Sequence, residues 1–516
     1  MNTIKQYALK TAFTTPKLLL MRVLFLIVFF NTVFSITLVA QHDHDHDHDK
    51  EPLKKPAQPA KTSIPVKDTT KVTIKPPIKK VPEHGAHNYK YVTPSSGEHS
   101  HAGHRNMGMS NAFSRNLSMT RNGSGTSWQP DNSPMYGYMF HDKSWMYMLH
   151  GEAYIRYNKQ DFTNEGSRGN SKFDAPNMVM LMGQRNISKR GLFHFNVMLS
   201  LDPVTVGGEG YPLLFQTGET YKGQPLVDRQ HPHDFISELS VSYAHSLSRD
   251  ADIFLYLGYP GEPALGPTAY VHRPSGFFNP DAPLTHHWVD ATHITFGVAT
   301  LGFRYNNWKM EGSSFTGREP GENRYDFDKP RFDSWAVRLS NNPGPKWALQ
   351  ASHGFIKEPE SLHPGENVNR TTASATFSSR GVGEEFINVT ALWGMNKTAH
   401  HAAEHGALAE GSYNVRRTTV YGRYEWVQKS LEELSLDEDV FGNDAVFPVH
   451  AFTAGASYDI FLYKKTKIAL GSQLSVFQPD ERLSTLYGST PVSGQIYLRI
   501  YPRAMGASSG KFYAPY

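Results

Sequence analysis

The segment Arg190 to Asp202, RGLFHFNVMLSLD, sets two incompatible kinds of side chain in strict alternation. Gly191, Phe193, Phe195, Val197, Leu199 and Leu201 form one row; His194, Asn196, Met198, Ser200 and Asp202 form the other. Successive side chains of a strand point to opposite faces, so one face here requires an apolar medium and the other tolerates water. Segments of this kind recur to the C-terminus, most with an aromatic near one end, and no convincing helix separates them. Strands of about ten residues, apolar on one side, polar on the other and aromatic at the ends, predict an all-β fold, a transmembrane antiparallel β-barrel. A β-sandwich also alternates, but its strands average about 5–6 residues.

Counting by alternation and turn residues gives about sixteen strands between residues 143 and 501, with fourteen as the alternative count. Expected spans include 174–187, 190–202, 292–305 and 448–462. A single strand across Val415-Arg416 would leave fifteen, whereas bacterial barrels have an even number. Short connections fall after even strands and long ones after odd strands, the asymmetry of periplasmic turns and outer loops.

Ahead of the barrel, Met21 and Arg22 precede the apolar run Val23 to Ala40, so residues 1–40 read as a signal peptide cut after Ala40. An uncleaved anchor is the other reading, and Met1 and Met21 both stand as starts. Residues 41–142 turn to His, Pro, Lys, Gly and Ser, and are expected to be a disordered periplasmic segment. Trp128 and Tyr136 favour tucking its end into or under the barrel. Residues 502–516 form a tail. A net charge of +4 over 516 residues argues against nucleic acid.

The chain has no Cys, so metal chemistry must come from His, Met or carboxylate. His42, His44, His46 and His48 alternate with Asp, and His84, His87, His99, His101 and His104 follow. Imidazoles at this spacing suit Cu(II) or Zn(II); a solvated tract with incidental affinity is the alternative. Strand parity puts Met146, Met148, His150, Met178, Met180, Met182, His194 and Met198 on the lumen side. Such a stripe fits either a path for soft Cu(I) or adaptable packing against an inner plug. The long loops add His231, His233 and Asp234 in DRQHPHD, and His286 and His287 further on. These form either a two-loop metal site or a hydrogen-bonded loop cap. No G-x-S-x-G elbow, phosphate loop or H-E-x-x-H helix occurs, so the reading is of a non-enzyme.

TVGGEGYPLLFQTGE at Thr205 to Glu219, DRQHPHD at Asp228 to Asp234 and GRYEWVQKSLEEL at Gly422 to Leu434 resemble a family of largely uncharacterised Gram-negative outer-membrane barrels. Its members often resemble products encoded beside heavy-metal efflux systems, and the His/Met-rich N-terminus is similar to that of copper-resistance outer-membrane proteins. The resemblance implies an outer-membrane location with the N-terminal segment in the periplasm. The expected function is a porin-like barrel that moves or handles metal ions, copper foremost. The alternative is a plugged barrel that binds a partner without transport, and a remote third is a metal-dependent hydrolase built on the His231-Pro232-His233-Asp234 loop. Expected partners are outer-membrane lipid, metal ions and periplasmic efflux or metal-handling proteins. An open lumen favours the first reading and a filled lumen the second.

Overall fold

The computed structural model describes residues 109–163, 166–399, 401–442 and 445–505. Residues 1–40, expected to be a signal peptide, and the histidines from His42 to His104 lie outside the described residues.

The wall is a closed antiparallel barrel of sixteen strand positions. In chain order these are β1 Trp145–Lys159, β2 Asn177–Asn186, β3 Gly191–Leu199, β4 Ile236–Ser246, β5 Ala251–Gly258 and β6 Val298–Tyr305. There follow β7 Trp308–Phe315, β8 Ser334–Gly344, β9 Trp347–Lys357, β10 Asn367–Arg380 and β11 Phe386–Lys397. The wall ends with β12 Glu404–Val415, β13 Thr418–Ser430, β14 Val446–Tyr463, β15 Thr466–Pro479 and β16 Val492–Pro502. The closing position uses both ends of the chain. β16 pairs with the second half of β1, from Gly494↔Lys159 to Ile500↔Ala153, while Tyr138–Asp142 pairs with its first half. The segment 138–142, placed ahead of the barrel by sequence, is thus part of the wall. Residues 415 and 418 flank a tight turn between β12 and β13, so the even count stands.

Alternation has the expected cause. On β16, Ile496 and Leu498 are exposed while Gln495, Tyr497 and Arg499 are buried, and on β11 Ile387 and Val389 oppose buried Asn388 and Thr390. Exposed apolar side chains therefore cover the outside. Aromatics ring both edges: Tyr243, Tyr305, Trp308 and Trp347 at the short-turn end, Tyr157, Tyr259, Trp335 and Tyr424 at the long-loop end. On β9, Trp347 and Phe355 mark the two edges; at about 3.3 Å per residue and a ~40° tilt they stand ~20 Å apart along the barrel axis, close to a hydrocarbon core.

Three expected spans need correction. The strand placed at 292–305 begins only at Val298, because 291–293 are a helical turn inside the barrel with both faces covered. The strand placed at 190–202 stops at Leu199, where the chain turns into a one-turn helix, Asp202–Thr205. The span 174–187 is broken at 175–176, and Ser171–Asp174 pairs separately with the end of β1.

The lumen is filled. The two longest loops, 200–235 and 259–297, and the N-terminal stretch 109–137 are largely buried. Lumen-facing charges require partners in a water-poor interior, and these segments supply them. Arg156 of β1 donates to Asp174 at 2.6 Å and to Asp281 at 2.8 Å. Gln473 and Gln495 donate to the other oxygen of Asp281, at 2.8 and 2.6 Å. From the turn end, Arg338 donates to Thr126 at 2.7 Å and Asn342 to the Gln129 carbonyl at 2.8 Å.

Candidate metal centre

Loop 259–297 carries a single helical turn, His286–Val289, seated in the wall by Trp288. Gly394 of β11 and Gly406 of β12 face each other across the ladder, and a Cβ on Gly394 would lie 2.4 Å from the Trp288 carbonyl oxygen. On Gly406 it would press on the indole at 3.0 Å. The two glycines make a hollow that the indole fills, with the Lys429 ammonium 4.6 Å from the ring centre. Asn396 donates to the His287 carbonyl at 3.0 Å and the Thr285 amide donates to Glu425 at 3.0 Å, so the turn is fixed at both ends.

This anchoring brings His286 and His287 to His231 of loop 200–235. One ring nitrogen from each lies within 4.8 Å of the others, and all three residues are buried. His286 Nδ1 donates to Asp290 at 2.6 Å, which leaves Nε2 with its lone pair. A carboxylate behind an imidazole is how a metal ligand is oriented and made more basic. His287 Nε2 is buried with no hydrogen-bond partner, as is Glu319 Oε2 close by, and the second oxygen of Glu319 stands 4.0 Å from His287 Nδ1. Burial holds His231 and His287 well below the ordinary imidazole value, so both are neutral near pH 7. Burial also raises Glu319, and raises Glu219 against the opposing pull of Arg324. Glu219 sits 3.2 Å from His231 and is also paired with Arg324.

These residues fit a borderline cation. Zn–N bonds of about 2.0–2.1 Å put tetrahedral ligands ~3.4 Å apart, so a shift of about 1 Å closes the three rings on one ion. Glu319 or water would take the fourth position. His233 and Asp234 are not in this group. His233 Nδ1 donates to Asp202 at 2.9 Å, and its Nε2 lies 3.2 Å from the Tyr270 hydroxyl. Asp234, pushed up to about 7 by burial, accepts from Arg324 at 3.4 Å. The His233 ring contacts His293, and His293 contacts His286, so the imidazoles continue inward beyond the three.

His287, with Glu319, lines a cavity of about 580 Å³ at the long-loop end, and His231 and His286 lie behind His287 outside that lining. Nine carboxyl groups and five Lys or Arg side chains line it, so oxygen donors are plentiful there. His363, Glu366 and Glu432 gather in the same cavity with ligand atoms within 4.8 Å of one another.

At the other end of the lumen, Met146, Met148, Met178, Met180, Met182 and Met198 are buried in one cluster. His150 shares their face, and buried His194 lies further along β3 on the same side.

Glu219, Glu319 and Gly218 were not among the sequence candidates. Glu319 has no local signal, since it comes from a different long loop, 316–333. Gly218, at φ +104°, packs so closely on His287 that a Cβ would stand 2.1 Å from its Cε1. Gly218→Ala should therefore displace the His287 ring and weaken Zn(II) binding about tenfold or more, without unfolding the wall. Isothermal titration against the parent protein checks this.

No protein-family model matches the chain, and no curated protein matches it. Solved structures that resemble it are outer-membrane proteins. OmpF of Salmonella typhi, in a complex with daunomycin, matches with a TM-score of 0.46 and 9% identity over 71% of this chain and 99% of its own. An anion-selective porin from Comamonas acidovorans gives 0.40 and 10% over 69% and 99%. The outer membrane channel DcaP of Acinetobacter baumannii gives 0.39 and 9% over 71% and 99%.

Proposed function

We propose that this protein is an outer-membrane barrel, plugged by its own loops, that captures Zn(II) or Cu(II) at the long-loop end and holds it at His231, His286 and His287. The observation that carries this reading is the convergence of three buried imidazoles from two loops, one backed by Asp290 and one with an unpartnered nitrogen. A merely structural cap would use up those nitrogens in hydrogen bonds. The apolar outer belt between aromatic rims supports the membrane setting, and the long loops then face outward. The carboxylate-rich cavity is the way in for the ion. With the lumen filled, onward passage of metal requires the plug to shift, so binding is the primary act. The HPHD loop does not read as a hydrolase, since Asp234 is held by Arg324 and is no free base.

The test is Zn(II) titration of a variant lacking residues 41–105, which removes the His42 to His104 tract. One tight equivalent should remain in the barrel. As pH falls from 7.5 through about 6.5, protonation of His231 and His287 should not compete with the ion, because burial holds both rings neutral. The additional binding of the intact chain, carried by ordinary imidazoles, should fade over that interval. No binding by the shortened protein would refute the reading.

A further inference from the structure

We propose that the methionine patch at the short-turn end of the lumen is a second metal site, selective for a soft monovalent d10 ion, Cu(I) or Ag(I). It rests on the reading that the barrel handles metal ions, and adds an ion class and a separate place for it.

The patch is made of one residue type. Seven buried and four partly buried methionines form it, eleven of the thirteen among the described residues, Met310 and Met395 being the other two. No Leu, Ile, Val or Phe belongs to it, whereas the core around Trp288 mixes Val206, Leu213, Phe215 and Leu284. Packing alone is served better by leucine, whose rotamers are well defined, and by mixed shapes that interdigitate. The property the patch members share, and that branched aliphatics lack, is the thioether sulfur. They also arrive independently. Met146 and Met148 come from β1, Met178, Met180 and Met182 from β2 and Met198 from β3. Met109, Met119, Met135, Met139 and Met505 approach from the two chain ends.

The ladder brings their side chains together. Met148 faces Met182, and Met180 faces Met198, directly across adjacent strands. Such pairs have Cβ atoms about 5 Å apart, and Met has three rotatable bonds beyond, so two or three sulfurs can converge on one ion. His150, directly opposite Met180, donates from Nδ1 to the Tyr136 carbonyl at 2.6 Å and keeps a lone pair on Nε2. Its ring lies 5.7 Å from that of His272, two residues beyond Tyr270, whose hydroxyl meets His233. His150 and His272 thus extend from the patch toward the loop that carries His286 and His287.

Neutral sulfur donors select the ion. They offer no charge to offset a buried dication, but they match the softness of a monovalent d10 ion and hold it weakly enough to exchange. Donors accordingly run from carboxylate and imidazole at the long-loop mouth to thioether at the far end. The two centres take different ions, a divalent one at the imidazoles and a monovalent one at the thioethers, and neither ion changes its oxidation state.

The experiment compares Ag(I) and Zn(II) titrations of the full-length protein with those of Met148→Leu/Met180→Leu/Met198→Leu, which keeps the apolar volume. The variant should lose one Ag(I) equivalent, or bind it about tenfold more weakly, with Zn(II) binding unchanged. An unchanged Ag(I) isotherm overturns the proposal. Loss of Zn(II) binding in the parent protein would instead defeat the histidine reading and leave this one to its own result. If the variant does not fold, methyl spectra of 13C-methionine-labelled parent protein decide. On adding Ag(I), patch methyls should shift while those of Met310 and Met395 stay. No shift, or equal shifts everywhere, overturns the proposal.

Discussion

Replacing His286 and His287 together with alanine should remove tight Zn(II) binding by the barrel, raising the apparent Kd by about 10⁴-fold. The magnitude follows from about 3 kcal/mol per ligand, taken from the ~10–16 kcal/mol of four-ligand structural zinc sites. The wall should survive, because sixteen strands pair without help from these side chains. Asp290→Asn keeps the shape but weakens the acceptor behind His286, and a loss of 10- to 100-fold is expected. His231→Ala and His286→Ala come from different loops, so their effects should fall short of additive if both rings hold one ion. A loop cap gives another pattern, with thermal stability falling equally in both variants whether or not metal is added.

The second large effect concerns the plug. Gly261 and Thr295 pair as an isolated bridge, so the loop between them leaves and re-enters at one point and a short Gly-Ser link can replace it. Excising residues 262–294 should convert a barrel that is nearly silent in planar bilayers into one with clear single-channel current steps. Arg156, Arg423 and Glu410 would lose partners in the loop. They would then face water rather than a dry interior, so the desolvation cost falls away and the wall should hold. Equal conductance in parent and variant would mean that the loop does not obstruct the lumen.

The wall was legible because lipid and lumen are different solvents. Ile496 and Leu498 against Gln495, Tyr497 and Arg499 can be read without a structure. Reading fails where both faces meet protein. Thr292, Ile294 and Phe296 alternate with His293 and Thr295, yet all five are buried within the plug, and alternation there does not mean strand. The folding of these long loops into the lumen is hidden for a related reason. Arg273, Asp281 and Asp290 look like solvent-facing charges, but each finds an ion pair or hydrogen bond in the lumen. Of the centre, the residue types were visible and the convergence was not. His231 is over fifty residues from His286, and only the seating of Trp288 between Gly394 and Gly406 brings the second loop to the first. That hollow depends on two glycines falling opposite each other in register, which a single sequence does not display.

The central claim is that His231, His286 and His287 share one ion. X-ray absorption at the zinc edge, on Zn(II)-loaded protein lacking residues 41–105, tests it most directly. About three nitrogen neighbours at ~2.0–2.1 Å with one oxygen are expected, and one nitrogen fewer in His231→Ala. A shell of oxygen alone, unchanged by substitution at any of the three histidines, would contradict it.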